Sequence, residues 1–174
     1  MLNFRKATNE DIKQIAEIYS DIHKGEEEGK SSIGWIRNVY PTEETAENAL
    51  KRDDLFVLEV NNTIVGAAII NRIQVPEYKD GCWKYDASDS EVMVLHTLVI
   101  SPSFSGKGYG KSFVSFYEKY ALKNGCRYLR MDTNAKNTRA RAMYKSLGYS
   151  EAGIVKCVFN GIPDVGLVLL EKKL

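Results

Sequence analysis

The chain has 174 residues, a formal net charge of +1 and 27% charged residues. This length can bury a hydrophobic core without disulfides, and we expect a single domain over residues 1–174. The near-neutral charge argues against binding of nucleic acid or a membrane through bulk charge. Three cysteines without a CxxC pair fit reduced thiols, and no signal peptide or membrane-spanning stretch is evident. The chain is therefore predicted to be cytoplasmic.

Hydrophobic periodicity, capping residues and turn dipeptides predict strands and helices that alternate along most of the chain. The polar stretch GEEEGKSS is predicted to be a loop with solvated glutamates. The order predicts one mixed α/β sheet with helices on both faces. The predicted elements are a strand at 2–6, helices at 12–24 and 43–52, strands at 55–60, 63–74 and 92–100, a helix through 113–120, a strand at 128–132, a helix opened by Asn137, and strands at 149–159 and 165–171, the last two joined by an Asn160-Gly161 hairpin turn.

The most informative stretch is 92–122, where an apolar strand leads through the loop SGKGYGKS into an amphipathic helix. Gly106, Gly108 and Gly110 occupy every second position of this loop. Alternate glycines let the backbone approach a ligand closely, and the N-terminus of a helix favours negative charge. The two lysines of the loop add positive charge. The stretch therefore predicts a cradle for a phosphate or pyrophosphate group.

Two phosphate-binding motifs fit this loop incompletely. The dinucleotide fingerprint GxGxxG fails because Lys111 stands where its third glycine belongs. The P-loop pattern GxxxxGK[ST] fails at its first glycine, which is replaced by Ser105. The strand at 128–132 is also a poor Walker-B candidate, since Arg130 interrupts it. A P-loop nucleotide hydrolase nevertheless stays open as an alternative.

A third kind of cradle binds acyl-CoA. The segment from Leu98 to Gly110 follows L-x-[IV]-x-P-x-x-x-G-x-G-x-G and closely resembles the core motif of the GCN5-related N-acetyltransferase (GNAT) superfamily. The stretch from Asn137 to Tyr149 resembles the superfamily's second signature, N-x-x-A-x-x-x-Y-x-x-x-G-[FY]. The order of elements agrees along nearly the whole chain. One departure is Ser105, where the family usually has Arg or Gln, so a side-chain contact with the pyrophosphate would be missing.

The resemblance implies a mostly antiparallel sheet of about seven strands with two splayed central strands. It also implies acetyl-CoA as cosubstrate and direct transfer of the acetyl group to a primary amine in a ternary complex. A backbone N–H of the central strand, that of Val99, would polarise the thioester carbonyl. The implied cofactor-binding residues are Leu98, Val99, Ile100, Ser105, Gly106, Lys107, Gly108, Tyr109, Gly110, Lys111, Ser112, Asn137, Ala140 and Tyr144.

The resemblance also implies catalytic candidates, each with a structural alternative. Tyr144 would protonate the leaving CoA sulfur, or else pack in the core. His96 or Glu91 would deprotonate the amine; the alternatives are a satisfied core histidine and an exposed residue at the start of the strand. Asn137 would reach the pantetheine arm or serve only as a helix N-cap.

No motif identifies the acceptor, which the resemblance implies is a small-molecule or peptide amine. We expect the stretches 25–40 and 74–90, with the end of the strand at 128–132, to bind it. A homodimer is compatible with the superfamily, and neither a metal nor a nucleic acid or membrane partner is predicted. A CoA-binding module without catalysis is the second functional alternative. The predicted acceptor-binding residues are Trp35, Tyr40, Tyr78, Trp83, Asp132 and Asn134.

Overall fold

The computed structural model describes residues 2–174. It contains seven strands and four helices, joined by turns and short 3-10 segments. The strands are β1 (Leu2–Lys6), β2 (Leu55–Val60), β3 (Thr63–Asn71), β4 (Val92–Ile100), β5 (Tyr128–Asn134), β6 (Ser150–Phe159) and β7 (Ile162–Lys173), and the helices are α1 (Ile12–Glu27), α2 (Glu43–Lys51), α3 (Tyr109–Lys123) and α4 (Thr138–Ser146).

All seven strands belong to one sheet, in the order β1-β2-β3-β4-β5-β7-β6. Every neighbouring pair is antiparallel except β4 and β5, which run parallel. The predicted mixed, mostly antiparallel sheet is confirmed. The predicted hairpin is also present, since Phe159 pairs with Ile162 across Asn160-Gly161.

The two central strands separate halfway along their length. β4 and β5 pair from Val92 with Tyr128 to Leu95 with Met131, and no further. Both strands continue beyond that point, to Ile100 and Asn134. The predicted splay is therefore confirmed, and it opens a gap in the middle of the sheet.

A β-bulge marks the same point on the other side of β4. Ile69 of β3 pairs with His96, but Ala67 pairs with Val99, so β4 carries one residue more than β3. Thr97 in this bulge has φ 49, an unusual conformation for a β-branched residue. Bulges re-aim side chains and are frequent beside active sites.

Helices cover both faces of the sheet, as predicted. Along β2, Phe56 and Leu58 pack in the same core as α3, because alternate residues of a strand face opposite sides. Leu55 and Val57 pack in the core formed with α1 and α2. The sheet is thus buried on both sides, and the gap between β4 and β5 lies between two cores.

Several predicted boundaries are wrong. The helix predicted to end at residue 24 continues as α1 to Glu27, because a glycine inside a helix costs only about 1 kcal/mol and Gly25 does not break it. β3 ends at Asn71 rather than residue 74, and the connection that follows contains 3-10 turns at 76–80 and 89–91. β7 begins directly after the hairpin turn and is longer than predicted.

Within residues 2–174 no helix has both the length and the apolar character needed to cross a bilayer. The cytoplasmic location stays a prediction.

Candidate active site

A cavity of about 1250 Å³ extends from the glycine loop to the gap between β4 and β5. Gly106, Gly108 and Lys111 line one end of it. Residues 96–100 of β4 and 132–134 of β5 line its middle, where the strands have separated. The cavity thus joins the predicted anion cradle to the interior of the sheet.

The glycine loop has the backbone geometry of an anion cradle. Gly106 and Gly108 have φ values of 79 and 80, which residues other than glycine rarely adopt. A Cβ placed on either residue would meet no atom within 4 Å, so the space beside the loop is open. Gly108 is the N-cap of α3 and supplies no side-chain cap, which leaves the first-turn N–H groups available to an anion.

The structure places a cationic side chain where Ser105 departs from the family pattern. Arg139, in the first turn of α4, donates a hydrogen bond to Ser105 Oγ at 2.9 Å. Both residues line the cavity. The sequence signal for Arg139 was its place beside Asn137 in the second motif, but its approach to the glycine loop depends on how α4 packs.

Most predicted cofactor-binding residues line the cavity, but Lys107 and Ser112 do not. The Lys107 ammonium lies over the Phe104 ring at 5.0 Å from its centre, and Ser112 Oγ donates to Gly108 O. Asn137 lines the cavity and also caps α4, because its side-chain oxygen accepts the Ala140 N–H at 3.1 Å. The remaining residues on the cavity wall are Leu98, Val99, Ile100, Ser105, Gly106, Gly108, Tyr109, Gly110, Lys111, Ala140 and Tyr144.

Tyr144 of α4 lies on the cavity wall although its side chain is largely buried. Burial raises the pKa of Tyr144, and the charge of Asp132 raises it further. The phenol is therefore protonated at neutral pH and can donate a proton. Its ring also stacks edge-on against Tyr149, so it belongs to the core and to the cavity together.

His96 also lines the cavity and is held by polar side chains from the neighbouring strand. Its Nε2 lies 3.0 Å from Asn71 Oδ1, which already accepts the Ile73 N–H. Asn71 Nδ2 donates in turn to Asp54 at 2.8 Å. Burial lowers the pKa of His96 to about 4, so the imidazole is neutral at neutral pH. Asn71 has no motif, and the sequence did not identify it.

The structure does not bring Glu91 to the cavity. Glu91 is exposed and ends the 3-10 turn at 89–91, before β4 begins. Its carboxylate accepts hydrogen bonds from Ser88 N at 3.2 Å and Ser88 Oγ at 2.7 Å. These bonds lower the pKa of Glu91. Glu91 therefore caps a turn. The apolar sequence of β4 does not predict this role.

Asp132 lies on β5 and faces the cavity. Its Oδ2 accepts a hydrogen bond of 2.7 Å from the Tyr78 hydroxyl. Burial raises the pKa of Asp132 to about 7, although the bond from Tyr78 opposes the shift. Asp132 is thus a carboxyl group whose charge changes near neutral pH.

The predicted acceptor residues divide into two groups. Trp35, Tyr40, Asp132 and Asn134 line the cavity, whereas Tyr78 and Trp83 stand behind it. The rings of Trp35 and Tyr40 meet edge to face at 6.0 Å, and the Tyr40 hydroxyl bonds that of Thr97 in the bulge. Trp83 instead donates from Nε1 to Tyr78 O at 2.7 Å and stacks on Arg130.

A segment without helix or strand, residues 30–35, forms one wall of the cavity; we call it the strap. The Glu26 carboxylate fixes the strap by accepting three bonds, from Ser31 Oγ at 3.0 Å, Ile33 N at 2.7 Å and Gly34 N at 2.8 Å. The prediction that the glutamates of this stretch are solvated is therefore wrong for Glu26, which is half-buried and hydrogen-bonded to the strap. Its neighbours Glu27 and Glu28 pair with Arg37 and Lys30.

No cluster of three or more His, Cys, Asp or Glu side chains suited to a metal ion occurs in residues 2–174. The absence of a metal from the reaction stays a prediction.

Residues 12–149 match the model of the Acetyltransferase (GNAT) family, and the chain belongs to this family. The match covers both motifs, the splayed strands and most of the cavity. The family's description names acetyltransferases as the class of protein that it contains.

Curated relatives agree with this class. An uncharacterised N-acetyltransferase of Methanocaldococcus jannaschii is 27% identical over 155 residues, which cover 87% of this chain and 62% of the relative. Aminoglycoside N(6')-acetyltransferase type 1 of Salmonella typhimurium is 28% identical over 75 residues, which cover 43% of this chain and 48% of the relative. The chain thus spans less than two thirds of the length of either relative.

Solved structures show the same fold. A GNAT-family acetyltransferase of Streptococcus agalactiae superposes with a TM-score of 0.80 at 21% identity, covering 99% of this chain and 95% of that one. The Salmonella typhimurium protein yncA, solved with its cofactor acetyl-CoA, superposes with a TM-score of 0.70 at 17% identity. The superposition covers 100% of this chain and 94% of that one.

Proposed function

We propose that this protein is an N-acetyltransferase that moves the acetyl group of acetyl-CoA directly to a primary amine of a small molecule or peptide. The observation that carries the proposal is the cavity, which joins the open glycine loop to Tyr144 and Asp132 without interruption. The backbone donors of the loop suit a pyrophosphate. The gap between β4 and β5 suits a narrow arm that must reach the interior.

The proposed binding residues divide the cofactor between two regions. Gly106, Gly108 and the first turn of α3 would hold the pyrophosphate through backbone N–H groups, with Arg139 supplying the charge that Ser105 lacks. The part of β4 beyond Leu95 has lost its β5 partner but keeps its pairing with β3, so the backbone groups on its β5 side are free to bind the pantetheine arm. A backbone N–H on the β5 side of this part of β4 would polarise the thioester carbonyl. The donor predicted from the sequence, Val99, pairs with Ala67, and the N–H two residues on, that of Ser101, donates to Val65 O, so the Val99 N–H faces β3 rather than the gap.

Acetyl transfer needs a proton for the leaving sulfur and a group that deprotonates the amine. Tyr144 is protonated at neutral pH and lies on the cavity wall, so we assign it the first role. His96 is a poor choice for the second, because a pKa of about 4 makes it a weak base. Glu91 lies outside the cavity and drops out of the proposed mechanism.

Cavity shape and the chemistry of its walls support an amine acceptor. Asp132 lines the same cavity as the aromatic rings of Trp35 and Tyr40, and a carboxylate together with aromatic rings attracts an ammonium group. The relative whose name specifies aminoglycoside acetylation makes polyamino sugars a reasonable part of any acceptor panel.

A thermal-shift comparison tests the cofactor assignment. Acetyl-CoA at a hundredfold excess over its dissociation constant stabilises a specific binder by about 2.7 kcal/mol. We expect acetyl-CoA and CoA to raise the melting temperature and Mg-ATP to leave it unchanged. Stabilisation by Mg-ATP alone would overturn the proposal in favour of a nucleotide hydrolase.

A further inference from the structure

We propose that Asp132 is the catalytic residue that takes the proton from the acceptor's ammonium group, and that Tyr78 positions it. The proposal rests on the proposed acetyltransferase function and assigns its missing base. From the sequence, Asp132 was predicted only to bind the acceptor.

The position of Asp132 in the sheet is the first observation. Leu95 and Met131 form the last pair between β4 and β5, so Asp132 is the first residue of β5 beyond the point of separation. Its carboxyl group therefore stands at the start of the gap, beside the part of β4 that would hold the thioester. Tyr144 lies close enough for the charge of Asp132 to raise its pKa. An amine bound to Asp132 would thus lie between the proposed acid and the proposed thioester site.

The hydrogen bonds of Asp132 are the second observation. Tyr78 binds Oδ2, while Oδ1 accepts no hydrogen bond from any side chain or backbone group in residues 2–174. Asp132 is half-buried and lines the cavity, so this open oxygen is accessible to a donor group of a ligand. An ammonium group can supply that donor.

Tyr78 is rigidly held, which suits a positioning residue. Its side chain is buried and its ring packs against Trp83 at 5.3 Å. Trp83 donates to the Tyr78 carbonyl, and Arg130 covers the indole ring at 4.1 Å. The 74–90 connection thus places the Tyr78 hydroxyl so that it donates to Asp132 from the side away from the cavity.

The surroundings of Asp132 suit proton transfer near neutrality. Burial raises its pKa to about 7, and the charge of Glu77 adds to the shift. The other titratable groups that face it are three phenols and one thiol: Tyr40, Tyr78, Tyr144 and Cys157. Burial raises the pKa of each of these, so they stay neutral at pH 7 and leave Asp132 as the group that titrates.

The proposed step balances as follows. The Asp132 carboxylate takes one proton from R–NH₃⁺, which gives R–NH₂ and a neutral carboxyl group. The amine nitrogen then forms a bond to the thioester carbon, and the carbon–sulfur bond breaks as Tyr144 protonates the sulfur. The nitrogen loses its second proton as the amide forms, which restores the Tyr144 phenol. Asp132 finally releases its proton to water.

The test is the pH dependence of kcat/KM with acetyl-CoA and n-butylamine, measured as free thiol. We expect the wild-type rate to rise with pH and level off above about 7, as Asp132 ionises. In Asp132→Asn the rate should fall by about 100-fold at pH 7. It should then keep rising with pH up to the pKa of the free amine, near 10, because only amine already neutral in solution can react. The exposed carboxylate of Asp80, in the same turn as Tyr78, gives the matched control Asp80→Asn, which should behave as wild type.

Tyr78→Phe separates positioning from folding. The bond from Tyr78 lowers the pKa of Asp132, so its loss should move the rise in rate to higher pH. A purely structural effect would lower the rate at every pH alike. NMR titration of the carboxyl carbons, with Asp132→Asn to assign the signal, should show Asp132 titrating near 7 in the free protein.

Two results would overturn the inference. One is an Asp132→Asn profile with the wild-type shape and rate; the other is titration of Asp132 at the ordinary pKa of an exposed aspartate. Either result leaves the acetyltransferase proposal standing if calorimetry shows that acetyl-CoA binds. Absence of acetyl-CoA binding would instead remove the proposed function itself.

Discussion

At the scale of single residues, Tyr144 and Asp132 show how one cavity can prepare an acid and a base. Burial raises the pKa of both groups, but from different starting values. Tyr144 therefore stays protonated over the physiological range, whereas Asp132 can gain or lose a proton near pH 7. Pairs of groups whose environments give them different protonation states are typical of acid–base catalysis.

Removing the Tyr144 hydroxyl should slow the reaction without weakening the binding of acetyl-CoA. We expect Tyr144→Phe to lower kcat by about 100-fold, the usual contribution of a general acid, with the acetyl-CoA dissociation constant unchanged. The matched control is Tyr149→Phe, since the Tyr149 ring packs against Tyr144 but its hydroxyl bonds Glu118. An unaltered kcat in Tyr144→Phe would return Tyr144 to a role in the core.

The raised pKa of Asp132 also predicts how stability changes with pH. A carboxyl group whose pKa is higher in the folded state stabilises the fold at acid pH and loses that contribution as pH rises toward 7. Asp132→Asn should therefore gain free energy of unfolding relative to wild type as pH rises from 5 to 8, on the order of a few kcal/mol for this shift. Urea unfolding at both pH values measures it. A difference that stays constant with pH would contradict the raised pKa.

At the scale of elements, two segments without regular structure shape the two ends of the cavity. The glycine loop opens the cofactor end, and the strap closes the other. Both depend on glycines with positive φ, at Gly108 and Gly34. Substitution of each can be compared with a glycine of similar φ that lies elsewhere.

In the glycine loop, the substitution Gly108→Ala should weaken the binding of acetyl-CoA. A Cβ there costs about 1 kcal/mol of strain and projects beside the loop, where no protein atom lies within 4 Å. We expect a loss of affinity of about tenfold or more, measured by calorimetry. Gly125→Ala has the same positive φ and open surroundings at the far end of α3, so it should lose stability but not affinity. Equal affinity in both variants would contradict the cradle.

In the strap, the substitution Gly34→Ala should weaken the binding of the acceptor amine. A Cβ on Gly34 would collide with the Asn134 side-chain amide, so either that side chain must turn away or the strap must shift. We expect a higher KM for the amine and an unchanged dissociation constant for acetyl-CoA. Gly29→Ala, with φ +69 and no neighbour within 4 Å, is the control for backbone strain. An acceptor KM that is unchanged in Gly34→Ala would contradict a role of the strap in acceptor binding.

The sequence predicted the central strand, the glycine loop and both helices of the motifs, because local periodicity and glycine spacing determine them. It could not predict the bulge at Thr97, which depends on how β3 pairs with β4. Nor could it place Tyr78 behind Asp132, since 54 residues separate them and only the folded 74–90 connection brings them together. The wrong boundary of α1 has a similar origin: Glu26 is held by contacts with the strap, not by a local pattern.

At the scale of the whole molecule, the separation of β4 and β5 connects these observations. Cores on both faces of the sheet keep the strands in place up to Leu95 and Met131. Beyond that pair, the same strands provide the walls of the cavity. The proposed catalytic residues therefore stand on rigid elements, while the loops proposed to contact the cofactor and the acceptor can vary in sequence without disturbing them.

The most direct test of the central claim is the transfer of acetyl from acetyl-CoA to an amine. The protein is incubated with acetyl-CoA and a panel of amines that includes polyamines, aminoglycosides and peptides with free amino groups. Free thiol and the mass of the acetylated amine are then measured together. We expect equal amounts of both products with at least one amine. Acetyl-CoA binding without any amine-dependent thiol release would contradict it and leave a CoA-binding module without catalysis.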